Sequence, residues 1–200
     1  MKKDFFEDKA GDYDRGGDRA SNVENIARAV IDKVSLNQNM HLMDFGSGTG
    51  LLLERIAPFV RKMTAIDISK SMNEQLARKR ENLDCELDIR EINLVSTDIT
   101  DKFDGIISSM ALHHIKDIES MFVKFHSMLN DGGFIAIADL DKEDGSFHKE
   151  DTGVYHFGFD REVIANAAKQ AGFNVVEVKD VSVVYKPHGE FPIFLLTAKK

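Results

Sequence analysis

His41 to Leu53 reads HLMDFGSGTGLLL. Leu42, Met43 and Phe45 form the apolar end of a buried strand. Gly46, Gly48 and Gly50 recur at every second position, and Leu51, Leu52 and Leu53 open an apolar helix. A glycine turn between strand and helix accepts backbone angles that a Cβ forbids, and lets a ligand press on the main chain. It also leaves free N–H groups at a helix N-terminus, where negative charge is stabilised.

The next segments extend this strand–turn–helix unit. Arg61 to Ile66 reads as a second strand, with Asp67 at its carboxyl end. In a doubly wound sheet that position lies beside the glycine turn, across the crevice at the strand tips. A ribose there offers two hydroxyl donors, and one carboxylate can accept both. Ser69 or Ser71 can cap the helix of residues 70–80, which leaves Asp67 for the ribose. Glu86 to Ile92 is a short third strand. Phe103 to Ser109 is nearly all apolar, as a central parallel strand must be. Ile118 to Leu129 forms a helix stopped by Asn130-Asp131-Gly132-Gly133, and Phe134 to Ala138 a fifth strand with Asp139 at its tip. Asp160 caps a last helix. Phe173 to Tyr185 and Phe191 to Ala198 are strands joined by so short a link that they must be antiparallel.

Asp44-Phe45-Gly46-Ser47-Gly48-Thr49-Gly50, spaced G-x-G-x-G after an acidic residue, resembles the first motif of the class I S-adenosylmethionine-dependent methyltransferases. A dinucleotide-binding turn is spaced G-x-G-x-x-G. Phe103-Asp104 followed by Ala111-Leu112-His113-His114-Ile115 is similar to the same family's fourth-strand segment. The resemblance covers about residues 40–198. It implies an α/β, three-layer Rossmann-like fold with a mostly parallel seven-stranded sheet, order 3-2-1-4-5-7-6, and an antiparallel last strand. Residues 1–200 then form one domain, with 1–35 as tail and lid helix and 139–160 as a lid loop.

The resemblance also implies a cofactor, S-adenosylmethionine, with S-adenosylhomocysteine as product. Its expected contacts are Asp44, Phe45, Gly46, Ser47, Gly48 and Gly50 in the turn, and Asp67 on the ribose. Ile68 and Met72 resemble the apolar pair around the adenine. Glu91-Ile92 is the best match for the adenine-edge contacts, with Asp88 as alternative. Ser108, Ser109 and Met110 should face the methyl-transfer site, and Tyr13-Asp14 resembles a tail pair that touches the cofactor.

The N-terminal segment is polar and acidic, with Phe5, Phe6 and Tyr13 standing out. Ser21 to Val34 reads as a helix with one apolar face, and Ser21 with Glu24 fits a capping box. The chain has 200 residues, 42% hydrophobic and 30% charged, which suits one soluble α/β domain. Its net charge of −8 argues against nucleic acid as partner, since phosphate binding rests on clustered Lys and Arg. Its one cysteine, Cys85, excludes an internal disulfide and a cysteine-based metal site. No apolar run is long enough to span a membrane and no signal core opens the chain, so a cytoplasmic location is expected.

The sulfonium already activates the methyl group, so such an enzyme needs alignment and dryness more than a catalytic triad. A base is needed only where the acceptor must lose a proton. His113 and His114 are the candidates after the fourth strand, and an imidazole serves at neutral pH. His148 and His156 share residues 139–160 with Asp139, Asp141, Glu143 and Asp144. Their spacing matches no metal pattern, so the segment reads as a solvated acidic loop and no metal is expected. The Asn/Asp-Pro-Pro-Tyr/Phe segment of amino-methylating nucleic-acid enzymes is missing, as is a Pro-Cys pair. A small-molecule acceptor is the expectation. A cofactor-binding partner subunit without activity is the alternative, and a nicotinamide-dependent oxidoreductase a weaker one.

Overall fold

The computed structural model describes residues 7, 10–15, 17–148 and 152–200; Phe5 and Phe6 lie outside them. A 3-10 turn, Ala10–Arg15, precedes α1 (Gly17–Lys33). Then follow β1 (His41–Phe45), α2 (Leu51–Ile56), β2 (Lys62–Asp67), α3 (Lys70–Lys79) and β3 (Glu86–Glu91). The second half holds β4 (Phe103–Ser109), α4 (Ile118–Met128), β5 (Leu129–Leu140), α5 (Arg161–Gln170), β6 (Asn174–Lys186) and β7 (Gly189–Lys199). One seven-stranded sheet runs β3-β2-β1-β4-β5-β7-β6, parallel except that β7 is antiparallel to both β5 and β6. This is the sheet order expected from the sequence.

Apolar clusters cover both faces. Val30 of α1, Leu53 of α2 and Leu76 of α3 pack on one; Phe122 and Phe125 of α4 and Ile164 of α5 pack on the other. The alternation along β1 explains the division: Leu42 joins the first cluster, Met43 and Phe45 the second. Phe122 and Phe125 are fully buried, and truncating either to Ala would cost about 3–5 kcal/mol.

Several local expectations are corrected. α1 starts at Gly17, so Ser21 is a helix-interior residue rather than a cap. Nothing after Gly17 breaks the helix, and Glu24 is drawn instead to Arg28 at 2.9 Å and Arg55 at 3.0 Å. β5 is longer than Phe134 to Ala138: Leu129 already pairs with Phe103, and the register slips once before Gly105 meets Phe134. Asp139 is the penultimate residue of the strand, one place before its carboxyl end.

The described residues of the 139–160 segment, 139–148 and 152–160, are partly packed rather than wholly solvated. Phe147 and Thr152 are buried, and Asp141 bridges to Phe159. The amides of Tyr155 and His156 both donate to the His113 carbonyl, so the segment is fastened to the turn after β4. No helix among the described residues is long and apolar enough to cross a membrane.

Candidate functional site

The carboxyl ends of β1 and β4 open into a cavity of about 470 Å³. Its floor is the glycine turn: Asp44, Gly46, Ser47, Gly48 and Thr49. Gly46 and Gly48 have φ of +67° and +53°, a left-handed backbone that side chains resist. At Gly46 a Cβ would also lie 2.3 Å from the Ala111 Cβ, whereas at Gly48 nothing stands within 4 Å. Gly46 thus lets the turn after β4 close in, and Gly48 keeps the main chain open to the cavity.

Asp44 is 2% exposed and its Oδ2 has no hydrogen-bond partner; the buried Ser47 Oγ also has none. Burial, together with the nearby Asp67 charge, pushes the Asp44 carboxyl well above the usual carboxylate range. A buried polar atom left unpaired costs about 1–3 kcal/mol. Two of them at one glycine turn mark a place where a ligand's polar groups complete the bonding.

Asp67 clips this turn. Its Oδ2 accepts the Gly48 amide at 2.8 Å and its Oδ1 the Ser69 amide at 2.8 Å. Ser69 caps α3, accepting the Met72 amide at 3.2 Å, as expected. Asp67 is nevertheless not left free, because both oxygens carry a backbone donor. A carboxylate oxygen can accept more than one hydrogen bond. Asp67 pairs in register with Glu91, and Phe45 with Ile66, so the ends of β1, β2 and β3 form one row.

The expected cofactor residues fall in two places. Tyr13, Asp44, Gly46, Ser47, Gly48 and Ser109, with His113 and His114, line the cavity. Asp67, Ile68, Met72, Glu91 and Ile92 do not line it. Ile68 is 66% exposed, Met72 is buried, and Glu91 is exposed. Asp88 is bonded to Arg90 at 2.9 Å, and Asp101 holds the same guanidinium at 2.8 Å through both oxygens. Phe45 packs edge-on against Phe125, and Gly50 leaves room for Leu76, whose Cδ1 would lie 2.4 Å from a Cβ there. Both act through packing rather than at the cavity wall.

The other wall carries proton chemistry. His113 is 2% exposed, and its Nδ1 lies 2.7 Å from Oδ1 of the wholly buried Asp139. The amides of His113 and Leu140 also donate to Asp139, at 3.2 and 2.8 Å. Asp139 thus accepts from two amides, and with His113 Nδ1–H donating to it as well, Nε2 is left as the ring's acceptor. His114 and His148 stack around it, with ring centroids 4.4 and 5.4 Å from His113. Burial is the main cause that lowers both to a pKa of about 4, so both are neutral at physiological pH. Among the described residues no such group is arranged to hold a metal ion.

Met110 was expected to face the methyl-transfer site, whereas Asp139, Arg19, Thr152 and Lys186 belong to the site but were not singled out as site residues. Met110 has φ of +57°, unusual for a side-chain-bearing residue, and lines the cavity just after Ser109. Asp139 carried a signal, since it stands at the end of β5 in a parallel sheet. Arg19 and Lys186 carried none, because they come from α1 and from the β6–β7 hairpin. The turn's outer side is closed by Asp14, which accepts from Thr49 Oγ1 at 2.6 Å and pairs with Lys79 at 2.6 Å.

A family model described as a methyltransferase domain matches residues 19–178. An uncharacterized methyltransferase of Schizosaccharomyces pombe is 30% identical over 156 residues, covering 70% of this chain and 55% of its own. The chain thus spans about half the length of that relative. Among solved structures, the Haemonchus contortus phosphoethanolamine N-methyltransferase 2 bound to S-adenosylhomocysteine superposes with a TM-score of 0.72. It is 16% identical and covers 98% of this chain and 59% of its own. The [4+2]-cyclase SpnF superposes at 0.73, with 19% identity and coverage of 88% and 80%. The fold therefore hosts more than one reaction, and chemistry has to be argued from the site. Taken with the sheet order and the glycine turn, these matches establish that the chain belongs to the methyltransferase-domain family of class I, Rossmann-like fold.

Proposed function

We propose that this protein transfers a methyl group from S-adenosylmethionine to a small-molecule acceptor. The observation that carries the reading is one cavity with two kinds of wall. Unpaired Asp44 Oδ2 and Ser47 Oγ stand at the glycine turn, and the Asp139-held His113 stands at the end of β4.

The residues fit the cofactor. Asp44 offers a buried acceptor for an amino group, Ser47 and the turn amides offer donors, and Asp67 offers carboxylate oxygens toward a ribose. Ile68, Met72 and Glu91-Ile92 remain the proposed adenine edge, with Tyr13 over the turn. When bound, S-adenosylmethionine supplies a methyl group already activated by its sulfonium. The protein's share is orientation, dryness and proton removal. His113 Nε2 takes a proton from the acceptor's nucleophile, and Asp139 stabilises the resulting imidazolium while fixing the ring. His114 and His148 surround it with neutral, half-buried rings that keep water away.

The test is calorimetric titration with S-adenosylhomocysteine, with NAD as control, followed by an acceptor screen with labelled methyl donor. Binding of the homocysteine product alone is expected. Binding of NAD, or of neither, overturns the reading. Tight cofactor binding with no acceptor methylated across the screen would favour a cofactor-binding partner subunit.

A further inference from the structure

Resting on that reading of the cavity, we propose that cofactor binding is coupled to the release of one proton, which Asp44 gives up when the ligand's ammonium group settles against it. The first observation is the place of Asp44. It stands in β1 between Met43 and Phe45, paired to Ala65 of β2 on one side and to Ile107 of β4 on the other. The side chain is buried, and its Oδ2 accepts no hydrogen bond. A carboxylate so placed has given up water without gaining a donor, whereas the neutral acid loses far less by burial.

The second observation is the contrast with Asp67, at the end of the adjacent strand. Asp67 accepts the Gly48 amide through one oxygen and the Ser69 amide through the other. Asp44 Oδ2 has no such donor. Burial first, and the nearby Asp67 charge second, hold the proton on Asp44. The other titratable side chains lining the cavity, among the described residues, are Tyr13 before α1, Arg19 in α1, His113 and His114 after β4, His148 after β5, and Tyr185 and Lys186 at the end of β6. None of them bonds to Asp44 Oδ2. His114 and His148 are held by burial to about 4, so they are neutral where the coupling is read.

The third step is chemical. The amino-acid end of S-adenosylmethionine, and of S-adenosylhomocysteine, carries an ammonium group. At Asp44 it supplies N–H donors and a charge of opposite sign, which reverses the balance and favours the ionised carboxylate. The O–H bond of the acid breaks, its electron pair stays on the carboxylate, and its proton goes to the buffer. The ammonium keeps its own protons. A ligand without an ammonium group leaves Asp44 neutral. Affinity for the cofactor therefore rises with pH, up to the point where the empty site loses its proton unaided.

The experiment is calorimetric titration of the full chain with S-adenosylhomocysteine from about pH 5.5 to 8, in paired buffers of different ionisation enthalpy. The difference between buffers counts the protons released. Methylthioadenosine, which keeps the nucleoside and thioether but has no amino acid, is titrated alongside. Asp44→Asn is compared, with melting temperatures to confirm that it is folded. S-adenosylhomocysteine is expected to release one proton per molecule bound at the acid end of the range, and its affinity to rise there by about tenfold per unit of pH. Methylthioadenosine should release none. Asp44→Asn should bind S-adenosylhomocysteine more weakly, with neither release nor slope. Binding without release, equal release by the two ligands, or release that survives in Asp44→Asn overturns the coupling and leaves the cofactor reading standing. Failure of S-adenosylhomocysteine to bind at any pH sinks both.

Discussion

His113 Nδ1 lies 2.7 Å from Asp139 Oδ1, and the Asp139 side chain is wholly withdrawn from solvent. The contact joins the turn after β4 to the end of β5. It sets the tautomer of the one imidazole whose Nδ1 is held by a buried carboxylate at the cavity wall.

Asp139→Asn should therefore act on turnover rather than on binding. An amide can present its NH₂ to Nδ1 and stabilise the wrong tautomer. We expect kcat to fall by about 10²–10⁴-fold, with KM and S-adenosylhomocysteine affinity little changed. His113→Gln should fall as far, and the double variant no further. A pH–rate profile of the single variant completes the measurement. Wild-type turnover in a folded Asp139→Asn protein would reduce the pair to a structural bond.

Asp44 separates stability from function. Its carboxyl is buried, pushed up in pKa and unpaired at Oδ2. Asp44→Asn keeps the shape and removes a desolvation cost, so the folded protein should be as stable as wild type or more so by about 1 kcal/mol. Affinity for S-adenosylhomocysteine should fall at least about tenfold. Melting curves and calorimetry on the same samples decide it, and unchanged affinity would remove Asp44 from the cofactor site.

The two glycines should respond differently. Gly46→Ala drives a Cβ into Ala111 on an already left-handed backbone, so a loss of about 2–4 kcal/mol is expected. Gly48→Ala meets open space and should lose only about 1–2 kcal/mol, from its φ alone. Yet Gly48→Ala should be the more damaging to cofactor affinity, because its methyl group enters the cavity. Urea denaturation beside calorimetry reads both effects. Equal stability losses would show that the turn relaxes.

Stability should drop in mild acid. His114 and His148 are lowered to about 4 in the folded protein, against an ordinary value of 6.5. The unfolded chain therefore binds protons first as pH falls. The stability these rings allow is fully present above about pH 6.5 and is lost progressively from there toward pH 4. Melting temperatures from pH 7.5 to 4.5 should show this decline, shallower in His114→Gln and His148→Gln. An identical slope in wild type and both variants would mean that other groups govern acid unfolding.

The strand–turn–helix unit and the sheet order were legible because they rest on local rules. Period-two and period-3.6 apolar patterns mark elements, and the two-residue link between Lys186 and Gly189 forces an antiparallel hairpin. The glycine spacing marked the cavity floor for a similar reason, since a backbone that must be left-handed and uncovered needs glycine at fixed positions. Boundaries moved where distant partners intervened. Leu129 belongs to β5 because Phe103 pairs with it, and Glu24 leaves a capping box because Arg55 reaches it from α2.

By itself, the sequence determined the family, the topology and the residues around the glycine turn. Tertiary structure alone decided which histidine is held by a carboxylate, that Phe147, His148 and Thr152 form part of the cavity wall, and that Arg19 and Lys186 face one cavity across 167 positions of chain. The reason is physical. Turn and strand chemistry depend on neighbours a few residues away, whereas charge pairing and burial depend on what the closed sheet brings together from far along the chain.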